Sequence, residues 1–411
     1  MRMQLKSICQ WLLLLPLAVK GVDVQAQQSR VKVKKLKYTE EDPGIVVDEE
    51  SVEAVIELDN TDQINMFYLH DAISGASPAG YSIDPSTDAT TSASGGTVKS
   101  DQQYRYFEDE RNAYTLGYKK ALTSNVSAGV TLNYSKENDY ESSGYTLNGV
   151  FLMNQKNTEL TLSYTRNDDT ILEAGSLEEE QSKEVSVISS GVSQLLSPRK
   201  ILGFGGMYGF SNGFHGDPYK QVKVGEQIID ESRPDTRKFT AYYGDFKSQF
   251  ADHHSVYLKL EQYNDTWGIN AGTWEVETTH EFTKEFLMSF YFRMYNQNAA
   301  DFWGNSFDAS YVDQYRSGDP RLAAFSANTY STTLYYFLTE QLMLEGSVGQ
   351  YIQYDGGTSL FVSNTGLNPV TRLDGDEDDD EYEGDDHEEG ESHHNILTKA
   401  VILSIAVEYR F

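Results

Sequence analysis

The chain is poor in cysteine, proline and long apolar runs. Its one cysteine, Cys9, lies near the amino terminus, so a chain cut after residue 26 has no disulfide and no cysteine metal site. Only 9 prolines occur in 411 residues, which suits a protein built from many strands. After residue 26 there is no run of 18 apolar residues, which argues against a helix that spans a membrane.

The first residues have the three parts of a secretory signal peptide. A basic start ending at Lys6 precedes an apolar run from Trp11 to Val19, and small Ala26 follows. The run is shorter than the roughly 20 residues that a spanning helix needs. The pattern predicts a signal peptide over residues 1–26 and an exported protein.

Strand-like alternation dominates residues 61–411. From Val401 to Phe411 every second residue is apolar or aromatic, and the chain ends on an aromatic residue. Because side chains of a strand alternate between its faces, this segment has one apolar face and one polar face. The same pattern recurs at 126–135, 159–165, 256–261 and 286–295. It predicts strands with one face towards lipid and one towards a lumen.

Two classes of connection separate these strands. Short turns are predicted at 123–124, 155–157, 197–199, 251–253, 283–284 and 339–340. Mostly longer polar connections alternate with them, at 75–104, 137–143, 168–182, 212–235, 264–267, 298–321 and 355–395. Bacterial outer-membrane barrels have short periplasmic turns and longer extracellular loops. The sequence therefore predicts an all-β, antiparallel up-and-down transmembrane barrel of about 14 strands, beginning near residue 63. A soluble β-sandwich or β-helix is the weaker alternative.

Residues 27–60 differ from the rest in their charge pattern. Basic residues between Arg30 and Lys37 precede two acidic clusters at 40–42 and 48–50. This predicts a separate periplasmic segment, either a disordered tail or a plug inside the lumen.

Several segments resemble a known family. They are Asp71–Gly80, Phe107–Arg111, Arg293–Trp303 and Asp319–Phe325. Together they are similar to a family of uncharacterised Gram-negative outer-membrane β-barrel proteins, described only as a domain of unknown function. The resemblance implies a barrel in the outer membrane of a Gram-negative bacterium and implies no activity, ligand or catalytic residue.

The net charge of −30 is unevenly distributed and argues against nucleic acid as a partner. Residues 374–394 form an acidic, histidine-containing insert in the last long loop. Its candidate ligands for a weakly held cation are Asp376, Asp378, Asp380, Asp385, Asp386, His387, His393 and His394. The spacing fits no defined metal site, so a solvated acidic loop is the simpler interpretation. No cofactor is expected beyond loosely bound divalent cations.

Two further sets of residues are candidates for a transport site. Charges predicted to face the lumen are Lys259, Glu261, Arg293, Glu345, Glu408 and Arg410. They either set a field across a channel or pair to brace the wall. Loop residues able to narrow a channel are Trp303, Tyr311, Tyr315, Arg316 and Arg321, which could equally form an outer rim at the headgroups.

The sequence favours a passive or gated conduit for small solutes. A plugged barrel that holds a periplasmic or extracellular partner is the alternative. An enzyme is not expected, because no nucleophile or zinc motif is present, although a hydrolase site involving His254 or His280 remains open. Expected partners are outer-membrane lipid and lipopolysaccharide, the barrel-assembly machinery through the last strand, and a possible periplasmic protein.

Overall fold

The fold is a closed antiparallel β-barrel. The computed structural model describes residues 29–41, 44–58, 62–78, 104–173, 177–356 and 396–411. The wall strands are β1 (Arg30–Glu40), β2 (Ile45–Glu57), β3 (Asp62–Pro78), β4 (Tyr104–Thr123), β5 (Val126–Lys136), β6 (Tyr140–Met153), β7 (Thr158–Ile171), β8 (Gln181–Ser197), β9 (Lys200–Gly213), β12 (Thr236–Ala251), β13 (His254–Asp265), β14 (Asn270–Glu281), β15 (Phe286–Gln297), β17 (Phe325–Phe337), β18 (Leu342–Asp355) and β19 (Ile396–Arg410).

Each wall strand pairs with its neighbours along the chain, and β1 pairs with β19 to close the barrel. The predicted all-β, up-and-down barrel is thus confirmed. The six predicted short turns all lie at one end, which we call the turn end, and the long connections lie at the other, the loop end.

The prediction of 14 strands is wrong, because the barrel has 16. The two additional strands are β1 and β2, which come from the segment predicted to be a tail or plug. β1 pairs with β19 through 11 residue pairs and β2 pairs with β3 through 13, so residues 30–57 belong to the wall. Charged residues at outer positions interrupt the alternation of apolar and polar residues in this segment, so the pattern does not predict strands there.

The two faces of the wall differ as the alternation predicts. Apolar side chains on one face are highly exposed, among them Ile405 (62%), Tyr242 (61%) and Ile188 (60%). The opposite face carries polar groups that contact one another across strands, for example Ser163 with Ser189 at 2.6 Å and Thr146 with Thr165 at 2.8 Å. The apolar face is therefore the outside of the barrel and the polar face its inside.

Three short strands lie outside the wall in the long connections. They are β10 (Gln221–Val224), β11 (Gln227–Asp230) and β16 (Ser306–Phe307), which form a sheet in the order β11-β10-β16. Two 3-10 turns, Ala309–Tyr311 and Pro320–Leu322, are capped by Asp308 and Asp319. No helix in the described ranges is long and apolar enough to cross a membrane.

Candidate functional site

The six charges predicted to line a lumen all lie on the inner face. Lys259 and Glu261 alternate with the exposed Leu258 and Leu260 on β13, and Glu275 is opposite Lys259 on β14. Arg293 on β15 and Glu345 on β18 follow the same parity, as do Glu408 and Arg410 on β19. Their position is as expected, and their role in a pore remains a prediction.

Most of these charges are paired. The Lys259 ammonium lies 2.9 Å from Glu261 and 3.7 Å from Glu275. Arg410 lies 2.7 Å from Glu408, and Lys32 on β1 lies 2.6 Å from Glu345. Arg293 lies over the Tyr295 ring at 5.1 Å. The pairs of Lys259 with Glu275 and of Lys32 with Glu345 join different strands and brace the wall, and all of these pairs reduce the net field across the lumen.

The inner face has two different sectors. Between β4 and β9 it carries small polar residues, including Thr131, Asn133, Thr146, Ser163 and Ser189. Between β12 and β18 it carries the charges described above and a group of tyrosines. These are Tyr243, Tyr257, Tyr263, Tyr291, Tyr295, Tyr335 and Tyr351. Large side chains therefore line the lumen between β12 and β18, and smaller side chains leave more room between β4 and β9.

One glycine at the boundary between the sectors keeps a tyrosine flat against the wall. A Cβ on Gly205 of β9 would collide with the ring of Tyr243 on β12. Only glycine leaves room for a neighbouring ring to approach the backbone this closely. The ring consequently runs along the wall instead of projecting into the lumen.

At the loop end, three connections fold together into a compact body that we call the cap, residues 214–235, 266–269 and 298–324. β10 pairs in parallel with β16, through Lys223 with Ser306 and Val224 with Phe307. Trp267 packs with Phe302 and Leu322 in a buried apolar cluster. The cap thus has a sheet and a core of its own.

Buried charges also hold the cap together. Arg233 contacts Glu231 at 2.6 Å and Asp319 at 2.8 Å, and the two acidic side chains are only 1% exposed. Arg321 contacts Asp319 at 2.5 Å and Asp217 at 3.0 Å. Burial by itself would raise the pKa of Asp319, but Arg321 and Arg233 hold that pKa well below its ordinary value. The carboxylate therefore stays ionised.

The loop residues predicted to form a constriction are mostly engaged inside the cap. Trp303 packs against the Trp267 cluster and Tyr311 against Val222 and Phe307. The Arg316 guanidinium donates to four backbone carbonyl oxygens, at 2.7–3.3 Å. Arg321 makes ion pairs with Asp319 and Asp217, whereas the Tyr315 side chain is 52% exposed. These contacts favour a structural role for both arginines.

The cap reaches across the mouth to a distant loop. The hydroxyl of Tyr219, whose side chain is 1% exposed, donates to the Asp139 carboxylate at 2.7 Å. Asp139 lies between β5 and β6, and the β7–β8 connection intervenes around the rim. The β10–β16 pairing likewise skips the β13–β14 connection. The cap thus contacts connections beyond its immediate neighbours on the rim, which is the arrangement expected of a body that covers part of the mouth.

Asp139 belongs to an acid cluster formed with Asp109 and Glu137. A ligand oxygen from each lies within 4.8 Å of the others. Asp109 accepts from the Asn138 amide at 2.7 Å. Carboxylates at this density are ligands of hard cations such as Ca²⁺ or Mg²⁺, so these three are the cation-binding candidates among the described residues.

The electrostatics of this cluster centre on Glu137, in the connection between β5 and β6. Burial, together with the charges of Asp109 and Asp139, raises the pKa of Glu137 to about 7, against the opposing effect of Arg111. Arg111 lies 4.0 Å from Glu137 and makes a closer ion pair, 2.7 Å, with Asp71. The cluster therefore gains charge near neutral pH.

The histidines considered for catalysis lie elsewhere. His254 and His280 stack on each other at 4.2 Å at the turn end, on the outer face between Phe250 and Phe282. A different pair, Ser211 and His215, makes a 2.6 Å hydrogen bond beside the cap. Ser211 is 5% exposed, and the His215 ring packs edge-on against Trp267, so this pair is covered by the cap.

The sequence did not single out the acid cluster or Tyr219. Asp109, Arg111, Asp319 and Arg321 do lie in segments that carried the family resemblance. The sequence signal that could have identified them is the recurrence of an acidic residue close to a basic residue in segments at the loop end. The signal peptide and the insert at 374–394, with its candidate ligands, lie outside the described residues.

Solved structures with a similar fold are distant in sequence. The siderophore receptor PirA from Pseudomonas aeruginosa matches at TM-score 0.40 and 8% identity, over 81% of this chain and 57% of that one. The CymD monoaromatic hydrocarbon channel matches at 0.40 and 8%, over 94% and 89%. A bacterial polysaccharide outer membrane secretin matches at 0.45 and 8%, over 93% and 98%. This chain thus spans little more than half of the receptor.

No curated protein sequence matches the chain. A family model described as "Protein of unknown function (DUF3570)" matches residues 15–180 and 173–361. These ranges include most of the wall, the acid cluster and the cap. The chain belongs to this family of proteins of unknown function, DUF3570.

Proposed function

We propose that the protein is a capped conduit for small polar solutes in the outer membrane of a Gram-negative bacterium. The observation that carries the proposal is the pairing of an apolar outer face with a polar inner face around a closed barrel. A closed barrel satisfies all backbone groups in lipid, and the inner groups are suited to water. The short turns then face the periplasm and the cap faces outwards.

The strand number supports a water-filled lumen. Barrels of 8 strands are filled by their own side chains, whereas barrels of 16 to 18 strands leave an aqueous channel. The wall here has 16 strands, and residues 30–57 form part of it instead of filling the lumen. The size and polarity of the barrel therefore favour passage of solutes.

The inner charges suggest weak selection by charge. Lys259, Arg410 and Lys32 each lie within 3 Å of a carboxylate oxygen, so their charges are largely offset locally. The tyrosine side chains between β12 and β18 narrow the bore from one side. We expect selection by size and hydrogen bonding, which favours small uncharged polar solutes.

The cap is the proposed gate. It is joined to the β5–β6 connection, beyond the neighbouring β7–β8 connection, by Tyr219, which donates to Asp139. Release of this contact would let the cap move away from the mouth while its own core stays folded. Lipopolysaccharide surrounds the loop end in this proposal, and the last strand, ending in stacked Tyr409 and Phe411, is the segment that the assembly machinery would recognise.

The test is solute entry into proteoliposomes, followed by swelling with uncharged sugars of increasing size. The native protein should admit the smallest sugars, and Tyr219→Phe, which lacks only the hydroxyl, should admit them several-fold faster. Tyr242→Phe, a change on the exposed outer face, is the matched control and should leave the rate unchanged. Vesicles that hold correctly folded protein and stay impermeable with both proteins would reject the conduit.

A binding module is the second candidate, and one observation favours it. The cap exposes Tyr315 (52%), Val312 (45%) and Ile228 (43%), apolar side chains of the kind that anchor a partner. A receptor for an extracellular partner would lose binding when Tyr315 is changed to Ser, with permeability unaffected. A conduit would keep its permeability and show no such binding.

A further inference from the structure

Four tyrosines on the inner face occupy equivalent positions on alternate strands of the wall. Tyr263, Tyr295 and Tyr351 each lie nine residues after the first residue of β13, β15 and β18, and Tyr38 lies eight residues after the first residue of β1. These four strands all run from the turn end to the loop end, so similar distances along them place the rings at about one height in the barrel. We call these four residues the tyrosine arc.

The hydroxyl group of each tyrosine in the arc is already engaged. It donates to a side-chain oxygen two residues further along the same strand, towards the loop end. The pairs are Tyr38 with Glu40 (2.7 Å), Tyr263 with Asp265 (3.0 Å), Tyr295 with Gln297 (2.7 Å) and Tyr351 with Gln353 (3.1 Å). The rings are therefore held along the wall, and what they offer to a solute is an aromatic face.

Alanines on the intervening strands make room for these rings. In register, Tyr263 lies beside Ala271, Tyr295 beside Ala327 and Tyr351 beside Ala400. The three alanines are only 1–3% exposed although their side chains point into the barrel, whereas the tyrosines are partly exposed. Each of these rings therefore has one face towards the wall and the other towards the lumen.

Arg293 provides hydrogen-bond donors next to the arc. It precedes Tyr295 by two residues on the same face, and its guanidinium lies 5.1 Å from the centre of that ring. Of the six inner charges it is the one that makes no ion pair with another residue in the described part of the chain. A guanidinium has five N–H donors. Thr329 lies in register between Arg293 and Tyr351, so polar groups and aromatic faces lie side by side here.

The chemistry of this surface fits a sugar. A pyranose ring has flat faces of C–H groups and a rim of hydroxyl groups, so it can pack on an aromatic face while its hydroxyls bond to polar neighbours. A hydrocarbon ligand in the same place would leave the Arg293 donors without an acceptor. Neighbouring tyrosines of the arc are two strands apart, at least about 10 Å, which is more than one sugar ring covers. A chain of two or more sugar units is therefore needed to contact two of them.

We propose that the tyrosine arc is a binding site for linear neutral oligosaccharides, which stack on the lumen-facing sides of two or more of its rings. This inference rests on the proposed function, because the sugar chain has to enter the lumen. The site lies directly beneath the cap: Gln297, which accepts from Tyr295, donates to the backbone oxygens of Arg321 and Ala323 at 3.0 and 2.7 Å. A sugar chain that passes the cap thus meets the arc first.

The first test is calorimetric titration of the folded protein in a detergent that has no sugar headgroup. The probes are glucose and its α-1,4-linked and β-1,4-linked oligomers of two to four units. Affinity for at least one series should rise about fivefold or more between one unit and three, because a longer chain contacts a second ring. Tyr219→Phe is titrated in parallel, so that a closed cap does not hide the site. Absence of binding to both proteins, or an affinity independent of chain length, would overturn the arc as a sugar site.

The second test locates the site and identifies stacking as its basis. Tyr295→Ala and Tyr351→Ala each remove a ring and should weaken binding of the trimer about threefold to tenfold. Tyr295→Phe keeps the ring and should bind as the native protein does, because the hydroxyl is already engaged by Gln297. Tyr335→Ala, on the inner face two residues from the turn end of β17, is the matched control and should leave the affinity unchanged.

Each variant is first shown to be folded by the mobility difference between unheated and boiled samples on a denaturing gel. Native affinity in both alanine variants would overturn the arc, and so would a loss in Tyr295→Phe equal to that in Tyr295→Ala. Vesicles that admit small sugars, with no oligomer bound, would keep the conduit and reject the arc. Length-dependent binding to a barrel that stays impermeable would reject the conduit and leave the arc as the site of a sugar-binding barrel.

Discussion

At the scale of residues, the acid cluster around Asp139 lies where the cap contacts the β5–β6 connection. Glu137 lies beside Asp109 and Asp139, and Asp139 accepts the hydrogen bond from Tyr219. Ionisation of Glu137 adds negative charge to the cluster at the point where the cap is attached. A proton on Glu137, or a bound divalent cation, would relieve this repulsion.

The first prediction follows from the pKa of Glu137, which is raised from 4.5 to about 7. The folded state then binds more protons than the unfolded chain between these values, so folding is favoured at low pH. Stability of the cap should fall as the pH rises from about 4.5 through about 7. Hydrogen exchange of cap amides measured across this range should show the loss.

Two substitutions complete this prediction. Glu137→Gln should flatten the pH dependence, because the titrating group is gone. Glu340→Gln, at an exposed turn on the opposite end, should leave it as in the native protein. A Glu137→Gln protein with an unchanged profile would show that another group titrates.

Arg233 gives the second prediction. Its side chain is 9% exposed and lies between Glu231 and Asp319. Arg233→Ala leaves two buried carboxylates with less compensation, and breaking such a pair costs about 3–5 kcal/mol. Limited proteolysis should then cut residues 214–235 readily while the wall stays intact. Arg199→Ala, which removes an exposed pair with Asp252, should cost at most about 1 kcal/mol and leave the cap protected.

At the scale of elements, the first hairpin decides whether the barrel can close. β1 lies between β19 and β2, and β2 lies between β1 and β3. Without this hairpin, β19 and β3 would have to pair directly. The backbone groups of β19 that now pair with β1, and those of β3 that now pair with β2, would need new partners, because unpaired backbone groups in lipid are costly.

The third prediction is that deletion of residues 29–57 abolishes the folded barrel. The expected readout is loss of the mobility difference between unheated and boiled samples on a denaturing gel, and loss of outer-membrane insertion. Deletion of residues 223–228, at the tip of the β10–β11 hairpin in the cap, is the control and should leave both unchanged. A shortened chain that still inserts and keeps this mobility difference would mean that residues 29–57 are dispensable, as a plug would be.

The sequence was informative wherever alternation was uninterrupted. Val130 and Leu132 on β5 lie outside and Thr131 and Asn133 inside, as predicted, because a barrel with lipid on one side and water on the other separates side chains by parity. The sequence does not predict β1 and β2, because Lys35 and Glu50 occupy outer positions, where the pattern requires apolar residues. Charged residues at outer positions thus make a wall strand resemble a charged tail in the sequence.

The cap could not be predicted for a different reason. Tyr219 and Asp139 are 80 positions apart, and nothing in either local pattern links them. Arg316 and Arg321 are predicted either to narrow a channel or to form an outer rim, whereas their guanidinium groups contact backbone carbonyls and carboxylates of the cap. Charged residues in long loops have the same appearance in sequence whether they bind a solute or fold a lid.

At the scale of the whole molecule, the protein combines a barrel that has a polar lumen with a cap at one end. In the proposed conduit the wall separates lipid from water, the inner ion pairs brace the wall, and the cap limits access. This proposal needs no moving part within the wall, because the cap has its own core and contacts the β5–β6 connection through Tyr219. In the proposed conduit, the Tyr219–Asp139 hydrogen bond and the charge of the acid cluster contribute to holding the cap closed.

Ion conductance of the purified full-length protein in a planar bilayer is the decisive test of a capped conduit. We expect discrete openings in the native protein at pH 7 that become longer in Tyr219→Phe, with similar single-channel size in both. Equal silence of the two proteins, with both barrels shown to be folded, would contradict a conduit. Steady full conductance that Tyr219→Phe leaves unchanged would instead contradict the cap as a gate.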